Sequence, residues 1–290
     1  MKYLIIPDVH NRVGWAENLI TRLRPAVDSV VFLGDYFDSL HDGPEIAFAT
    51  AEWLRWSVHQ SGRIHLMGNH DIPYRWSRYV CPCPGYTQAK HQAISGGGKP
   101  MGKAEWSAIG VAHILHRTWE ARPVVLSHAG FTLANLYGVP DFRDVAQGGQ
   151  CAHLRKLLPQ EHLNHIREQA EKCVRRADAR ALNDNPHPHY WFRRGTRVDD
   201  RNVGGPFWLD RHQFHSPVPG IDQVVGHTRV RKPQRHYVPP KEAPDSEVWF
   251  IDGAGLYAAI LDISVVTSTG GYLVTPIHAQ GERIGEPCDL

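Results

Sequence analysis

Five short apolar runs in this chain each break off into a cluster of polar side chains: KYLIIPDVH, SVVFLGDYFD, RIHLMGNHD, RPVVLSHAG and IDQVVGHT. Continuous β-branched and aliphatic stretches of this kind suit strands buried on both faces. Between the first two lies GWAENLITRLR, and between the second and third GPEIAFATAEWLRWSVHQ, whose apolar residues recur at helical spacing. The order strand, helix, strand, helix, strand predicts an α/β sheet. Such sheets bind ligands beyond the C-terminal ends of their strands, which is where the polar clusters fall.

After the fourth run the pattern changes. Residues 150 to about 185 are charged with a helical period and predict a solvent-facing helical insert, broken near Pro159. The stretch EVWFIDGAGLYAAILDISVVTSTGGYLVTPIHA alternates strand-like runs with turns. It predicts an antiparallel meander that supplies a second sheet packed on the first. With 290 residues, 42% of them hydrophobic, and no repeat or linker, residues 1–290 are read as a single domain.

Lys and Arg number 32 against 30 Asp and Glu, so the chain lacks the basic field of a protein that binds long nucleic acid. Five cysteines, an odd number with only the short CPC pair at Cys81 and Cys83, fit small buried thiols in a reducing cytoplasm. The apolar run in MKYLIIPDVH is too short for a signal-peptide core, and no later run approaches membrane-spanning length. The expectation is a soluble cytoplasmic protein with no membrane partner. Nothing in the sequence indicates its oligomeric state.

The runs deliver Asp8 and His10, then Asp35 and Asp38, Asn69 and His70, His128, and His227 to one sheet edge. Residues two apart on a strand point to the same face, so Asp8 and His10 can grip a single ion. Oxygen and imidazole donors without a thiolate favour a hard or borderline divalent metal: Mn first, with Fe, Ni or Zn as alternatives. Asp35 can bridge to a second ion whose shell Asn69, His128 and His227 complete. Two ions about 3.5–4 Å apart clamp a phosphoryl group and lower the pKa of bound water towards about 7, giving an attacking hydroxide at neutral pH. His70, adjacent to Asn69 and pointing away from it, is free to act as general acid. A carboxylate must hold its proton beside two cations, and Asp38 is the candidate.

As a set, Asp8-Val9-His10, Gly34-Asp35-Tyr36-Phe37-Asp38, Gly68-Asn69-His70-Asp71, Ser127-His128-Ala129-Gly130 and Gly226-His227-Thr228 resemble the blocks of the calcineurin-like metallophosphoesterases. The resemblance implies a four-layer α/β/β/α sandwich of two mixed sheets and a two-metal phosphoesterase site. Many phosphodiesterases of that superfamily place a second metal-binding histidine two positions after the last one, where this chain has Arg229. That pattern is similar to the serine/threonine phosphoprotein phosphatase branch and its bacterial and phage relatives. The arginine that follows the second aspartate in that branch is Ser39 here. By resemblance, the remaining phosphate-binding arginine falls in WFRRGTR, with Arg194 first and Arg193 and Arg197 behind it. Asp71 is read as a cap on the turn after the acid, and Asp252 as packing near the metals.

The segment IPYRWSRYVCPCPGYTQAKHQAISGGGKP lies over the expected site mouth. Tyr74, Arg75, Trp76, Arg78 and Tyr79 within it read equally as a platform for a nucleobase or phosphopeptide and as a packed lid. The function expected is hydrolysis of phosphomonoesters, of the phosphoprotein serine/threonine type. The alternatives are a phosphohydrolase of nucleotides, dinucleoside polyphosphates or nucleic-acid ends, and, in another class, a non-catalytic metal-stabilised binding module.

Overall fold

The computed structural model describes residues 1–76, 83–96, 101–117, 121–138, 154–183, 190–192, 194, 204–214, 217–237 and 246–279. All five apolar runs are strands: β1 (Lys2–Ile6), β2 (Ser29–Phe32), β3 (Arg63–His65), β5 (Val124–Ser127) and β6 (Asp222–Val225). A further strand, β4 (Ala112–Leu115), precedes β5 and was not legible as one. The predicted crossovers are helices α1 (Val13–Leu23) and α2 (Pro44–Ser57). Pro44 opens α2 at a position whose N–H would have no partner in the helix, and its preset φ suits the first turn. Along α2 the buried positions Ala47, Thr50, Ala51, Leu54 and Ser57 form one stripe.

The strands form two mixed sheets. One has the order β10, β9, β1, β2, β3 and the other β4, β5, β6, β8, β7, with β7 at Gln234–Tyr237, β8 at Glu247–Phe250, β9 at Tyr257–Val266 and β10 at Tyr272–His278. The two-residue period of β1 divides the core. Leu4 and Ile6 pack against Ala16, Leu19, Ala47 and Leu54 of the helices, while Tyr3 and Ile5 join Val124, Leu126 and Val224 of the facing sheet. The outer face of the second sheet carries Val225, Val248 and Phe250 against Leu209 and Phe214. This gives the α/β/β/α layering that the resemblance implied.

The C-terminal stretch departs from the expected meander. β8 pairs parallel with β6 inside the second sheet, whereas the antiparallel β9–β10 hairpin extends the first sheet alongside β1. The second sheet is therefore assembled mainly from β4 to β8. Alternation in sequence identifies a strand but not its partner. β9 is buried over six successive residues and belongs between two strands instead of at the edge of a separate sheet.

Five further α-helices are described: α3 (Ile72–Arg75), α4 (Gln88–Ser95), α5 (Lys103–Ser107), α6 (Leu133–Tyr137) and α7 (Pro159–Asn183). Pro159 starts α7 and does not break it. The helix is also not wholly solvent-facing: His162, Leu163, Ile166, Cys173 and Ala177 are buried. Asp178 accepts hydrogen bonds from Trp76 Nε1 (2.8 Å) and Arg75 (3.4 Å), docking α7 against α3. Cys83 and Cys173 are free, buried thiols. Among the described residues no helix is long and apolar enough to cross a membrane.

Register places the strand ends. Ile6 lies opposite Phe32 and Phe32 opposite His65, so the chains leaving β1, β2 and β3 emerge side by side. Ser127 lies opposite Val225, which brings out His128 and His227 together from the second sheet.

Candidate metal centre

The backbone at this rim is unusual. Six described non-glycine residues have positive φ, and four of them are candidate site residues: His10 (43°), Asp35 (50°), Asp38 (67°) and His227 (60°). Each such conformation costs on the order of 1 kcal/mol and persists only where its surroundings enforce it. Enforcement is visible between the loops after β2 and β3. A Cβ at Gly34 (φ +105°) would lie 2.2 Å from Gly68 N, and one at Gly68 would lie 2.2 Å from Asp35 Oδ1. Asp71 ties the same two loops: its carboxylate accepts from the N–H groups of Asp35 (2.9 Å), Tyr36 (2.8 Å) and Gly68 (2.8 Å). It makes no capping bond on α3, so its structural role differs from the expected turn cap.

The six predicted metal ligands converge. His10 Nε2 lies 3.9 Å from Asp8 Oδ2 and 3.8 Å from Asp35 Oδ2. On the other side of Asp35, His128 Nε2 lies 3.4 Å from the same Oδ2, 2.7 Å from Asn69 Oδ1 and 3.2 Å from His227 Nδ1. His227 Nδ1 is 2.8 Å from Asn69 Oδ1. Asp35 Oδ2 thus belongs to two neighbouring groups of donors.

Most of these side chains have one polar atom tied back to the protein and the other aimed inward. Phe37 O accepts from His10 Nδ1 at 3.0 Å and Leu33 O from His128 Nδ1 at 3.1 Å. A carbonyl can only accept, so both Nε2 atoms carry lone pairs into the common space. Asp8 Oδ1 accepts from His227 N (2.9 Å) and Asp35 Oδ1 from His70 N (2.8 Å), which leaves each Oδ2 inward. Asn69 Nδ2 faces Cys83 Sγ at 3.6 Å, directing its Oδ1 to the histidines.

Burial dominates the electrostatics. It raises Asp8 to about 6 and, with repulsion from Asp8 and Asp71, raises Asp35 well above the usual carboxylate range. It lowers His10 to about 4 and His128 well below its ordinary value. These two imidazoles are therefore neutral, the form that ligates, and the buried carboxylates call for cationic charge beside them. Oxygen and imidazole nitrogen atoms gathered within 2.7 to 3.9 Å of their neighbours, with no thiolate among them, fit hard or borderline divalent ions. The Cys83 thiol is pushed up by burial and stays protonated.

His70 stands at the edge of this cluster. Its ring is edge-on to His10, with centroids 5.0 Å apart, and by position it also lies within reach of the His10–Asp35 space. Its Nδ1 donates to Asp38 Oδ2 at 3.3 Å, and Asp38 Oδ1 accepts from Tyr74 OH. Asp8, His10, Asp35, Asn69, His227, Asp38 and His70 line a cavity of about 890 Å³. Arg194 lines it, with its guanidinium 4.5 Å from the Trp208 ring centroid, and Ser39, Arg229 and Asp252 are also in the wall. Arg193 and Arg197 lie outside the described residues, as do Arg78 and Tyr79.

Tyr74 and Trp76 are buried, 3% and 2% exposed, and pack in the core, so they form no base-stacking platform. Arg75 pairs with Asp178 and caps the Trp76 ring. Asp252 is buried beside Asp8 and raised to about 7. The sequence reading missed Arg12, which donates to Val9 O, Asp8 O and Ala254 O and so joins the β1 loop to the turn before β9. It also missed Trp208 and Cys83; a tryptophan three residues past a glycine pair, or a cysteine 14 residues after the ligand it orients, carries no local signal.

The sequence profile of the calcineurin-like phosphoesterases matches residues 1–237. Solved structures similar to this fold include a metallophosphoesterase from Sphaerobacter thermophilus (14% identity, 98% of this chain and 89% of that chain, TM-score 0.42). A protein serine/threonine phosphatase from Saccharomyces cerevisiae is similar at 12% identity over 99% of this chain and 82% of that one, with TM-score 0.39. A conserved Streptococcus pneumoniae protein described as a predicted phosphoesterase is similar at 10% identity, over 99% and 94%, with TM-score 0.34. No curated protein sequence matches the chain.

Proposed function

The chain belongs to the calcineurin-like phosphoesterase family, and from that premise we propose that it is a dinuclear metal-dependent phosphatase of phosphomonoesters, acting as one domain with α7 as an insert. The observation that carries this reading is the shared oxygen: Asp35 Oδ2 lies 3.8 Å from His10 Nε2 and 3.4 Å from His128 Nε2. Asp8, His10 and Asp35 would hold one ion; Asp35, Asn69, His128 and His227 would hold the other. Manganese is the ion proposed, with Fe, Ni and Zn as the alternatives that these donors accept. When bound, such ions supply Lewis acidity, polarising phosphoryl oxygens and lowering the pKa of water.

The chain's own residues do the rest. His70, with Nδ1–H directed to Asp38, keeps Nε2 for the oxygen of the leaving group and delivers the proton there. Arg194 is the phosphate clamp; its guanidinium lies over the Trp208 ring and offers paired N–H groups suited to two phosphate oxygens. The substrate class proposed is phosphoserine or phosphothreonine in proteins, supported by the Gly34-Asp35-Tyr36-Phe37-Asp38 block and by Arg229 in place of a second histidine.

Replacing His70 by Asn tests the enzyme reading. Metal content and fold are expected to stay, while turnover of an alkyl phosphomonoester falls about a hundred- to ten-thousand-fold. Turnover equal to the parent's, or no phosphomonoester turnover by the metal-loaded parent, contradicts it.

A further inference from the structure

Lys90 has almost no contact with solvent, at 3% exposure. An ammonium is rarely buried unless its charge and donors are met, so its partners are informative. Nζ donates to Gly85 O at 2.7 Å and to Ser39 O at 3.0 Å, and lies 3.9 Å from Asp38 Oδ1. Its base is fixed as well: Thr87 caps α4, with Oγ1 accepting from Lys90 N at 3.2 Å. Gly85 turns at φ +94°, and a Cβ there would come within 3.2 Å of Asp38 Cβ. The lysine therefore grips the carbonyl of the residue after Asp38 and the turn packed against Asp38, and faces the carboxylate itself. Asp38 is held at φ +67° in a conformation it would not adopt unaided.

We propose that Lys90 is a positioning residue for the His70–Asp38 pair, holding the Asp38 carboxylate oriented so that His70 presents Nε2 to the leaving oxygen. This rests on the reading of His70 as the general acid. Asp38 Oδ1 is occupied by Tyr74 OH and faced by the ammonium, which leaves Oδ2 for His70 Nδ1 and no freedom to rotate. The segment that reads in sequence as a substrate lid is in part a buttress beneath the acid.

A positioning role differs from a merely structural one in its dependence on the leaving group. An alkoxide needs a proton as it departs; a nitrophenolate does not. Lys90→Met keeps the length and removes charge and donors. In the metal-loaded protein its kcat is expected to fall at least tenfold further for phosphoserine than for p-nitrophenyl phosphate, with KM and metal content little changed. Equal losses on both substrates, or no loss on either, would overturn the proposal. If Lys90→Met does not fold, Lys90→Gln, which retains donors for the two carbonyls without the charge, carries the same comparison with at least a fivefold difference expected.

Nitrogen-15 NMR of the zinc-loaded protein separates this from the phosphatase reading. The proposal expects the hydrogen-bonded His70 Nδ1–H signal in the parent and its loss or large shift in Lys90→Met, whether or not the parent hydrolyses either ester. An unchanged signal overturns it. A parent that turns over neither ester while the signal shifts as expected defeats the functional reading alone.

Discussion

His65 and His128 are both buried imidazoles at the end of a strand, and they live in opposite surroundings. His65 is stacked on Phe32, with centroids 4.5 Å apart, and each ring nitrogen meets a hydroxyl, Tyr36 OH at 2.9 Å and Ser57 Oγ at 3.0 Å. His128 is anchored to Leu33 O through one nitrogen and faces Asn69 Oδ1, His227 Nδ1 and Asp35 Oδ2 with the other. Burial keeps both neutral. The first pocket closes its polar groups among themselves and serves stability. The second turns the inward atoms of His128, Asn69, His227 and Asp35 towards one another, an arrangement that a cation would satisfy, and that difference, not burial, marks the candidate site.

The comparison breaks most sharply at Asp35. Asp35→Asn removes the shared charge, and the expected result is about a thousand-fold or greater loss of turnover with metal content below that of the parent. The check is metal analysis beside steady-state kinetics. Chelation acts on the same region without mutation: each ion present at a thousand times its Kd stabilises the fold by about 4 kcal/mol. Denaturant midpoints with and without chelator are expected to differ for the parent and much less for Asp35→Asn.

The His65 pocket gives the converse. His65→Ala leaves a cavity and two unpaired hydroxyls, an expected loss of about 3 kcal/mol in unfolding experiments. Metal content should not change. The same pocket sets a pH dependence, which is small near neutral pH. Burial first, and then the charge of Arg63, lower His65 to about 3, so the unfolded chain takes up a proton there before the folded one does. The contribution is complete above about pH 6.5 and falls by about 1.4 kcal/mol per unit as pH drops towards 3. The acid slope of stability should be shallower by that amount in His65→Gln.

The sequence carried different parts of this account unequally. β1, β2, β3, β5 and β6 were legible because each is a continuous apolar run, and the ligand blocks were legible because each is local to one strand end. The partners of β8 and β9 were not, since strand pairing is a long-range property of burial. α7 was read as solvent-facing because its apolar stripe is sparse: Leu163, Ile166, Cys173 and Ala177 lie among charged residues. The roles of Cys83, Lys90 and Arg12 were not legible because they act through backbone carbonyls or a turn that no motif records, and each reaches a partner distant in the chain: Asn69, Ser39 and Ala254. Ser39, which stands where the resemblance led us to look for an arginine, gives up its carbonyl to Lys90.

Anomalous diffraction from crystals grown with manganese tests the central claim most directly. Two peaks about 3.5–4 Å apart, one on each side of Asp35 Oδ2, with Asp8 and His10 at the first and Asn69, His128 and His227 at the second, are the predicted result. A single peak, or none at this rim, would contradict the account.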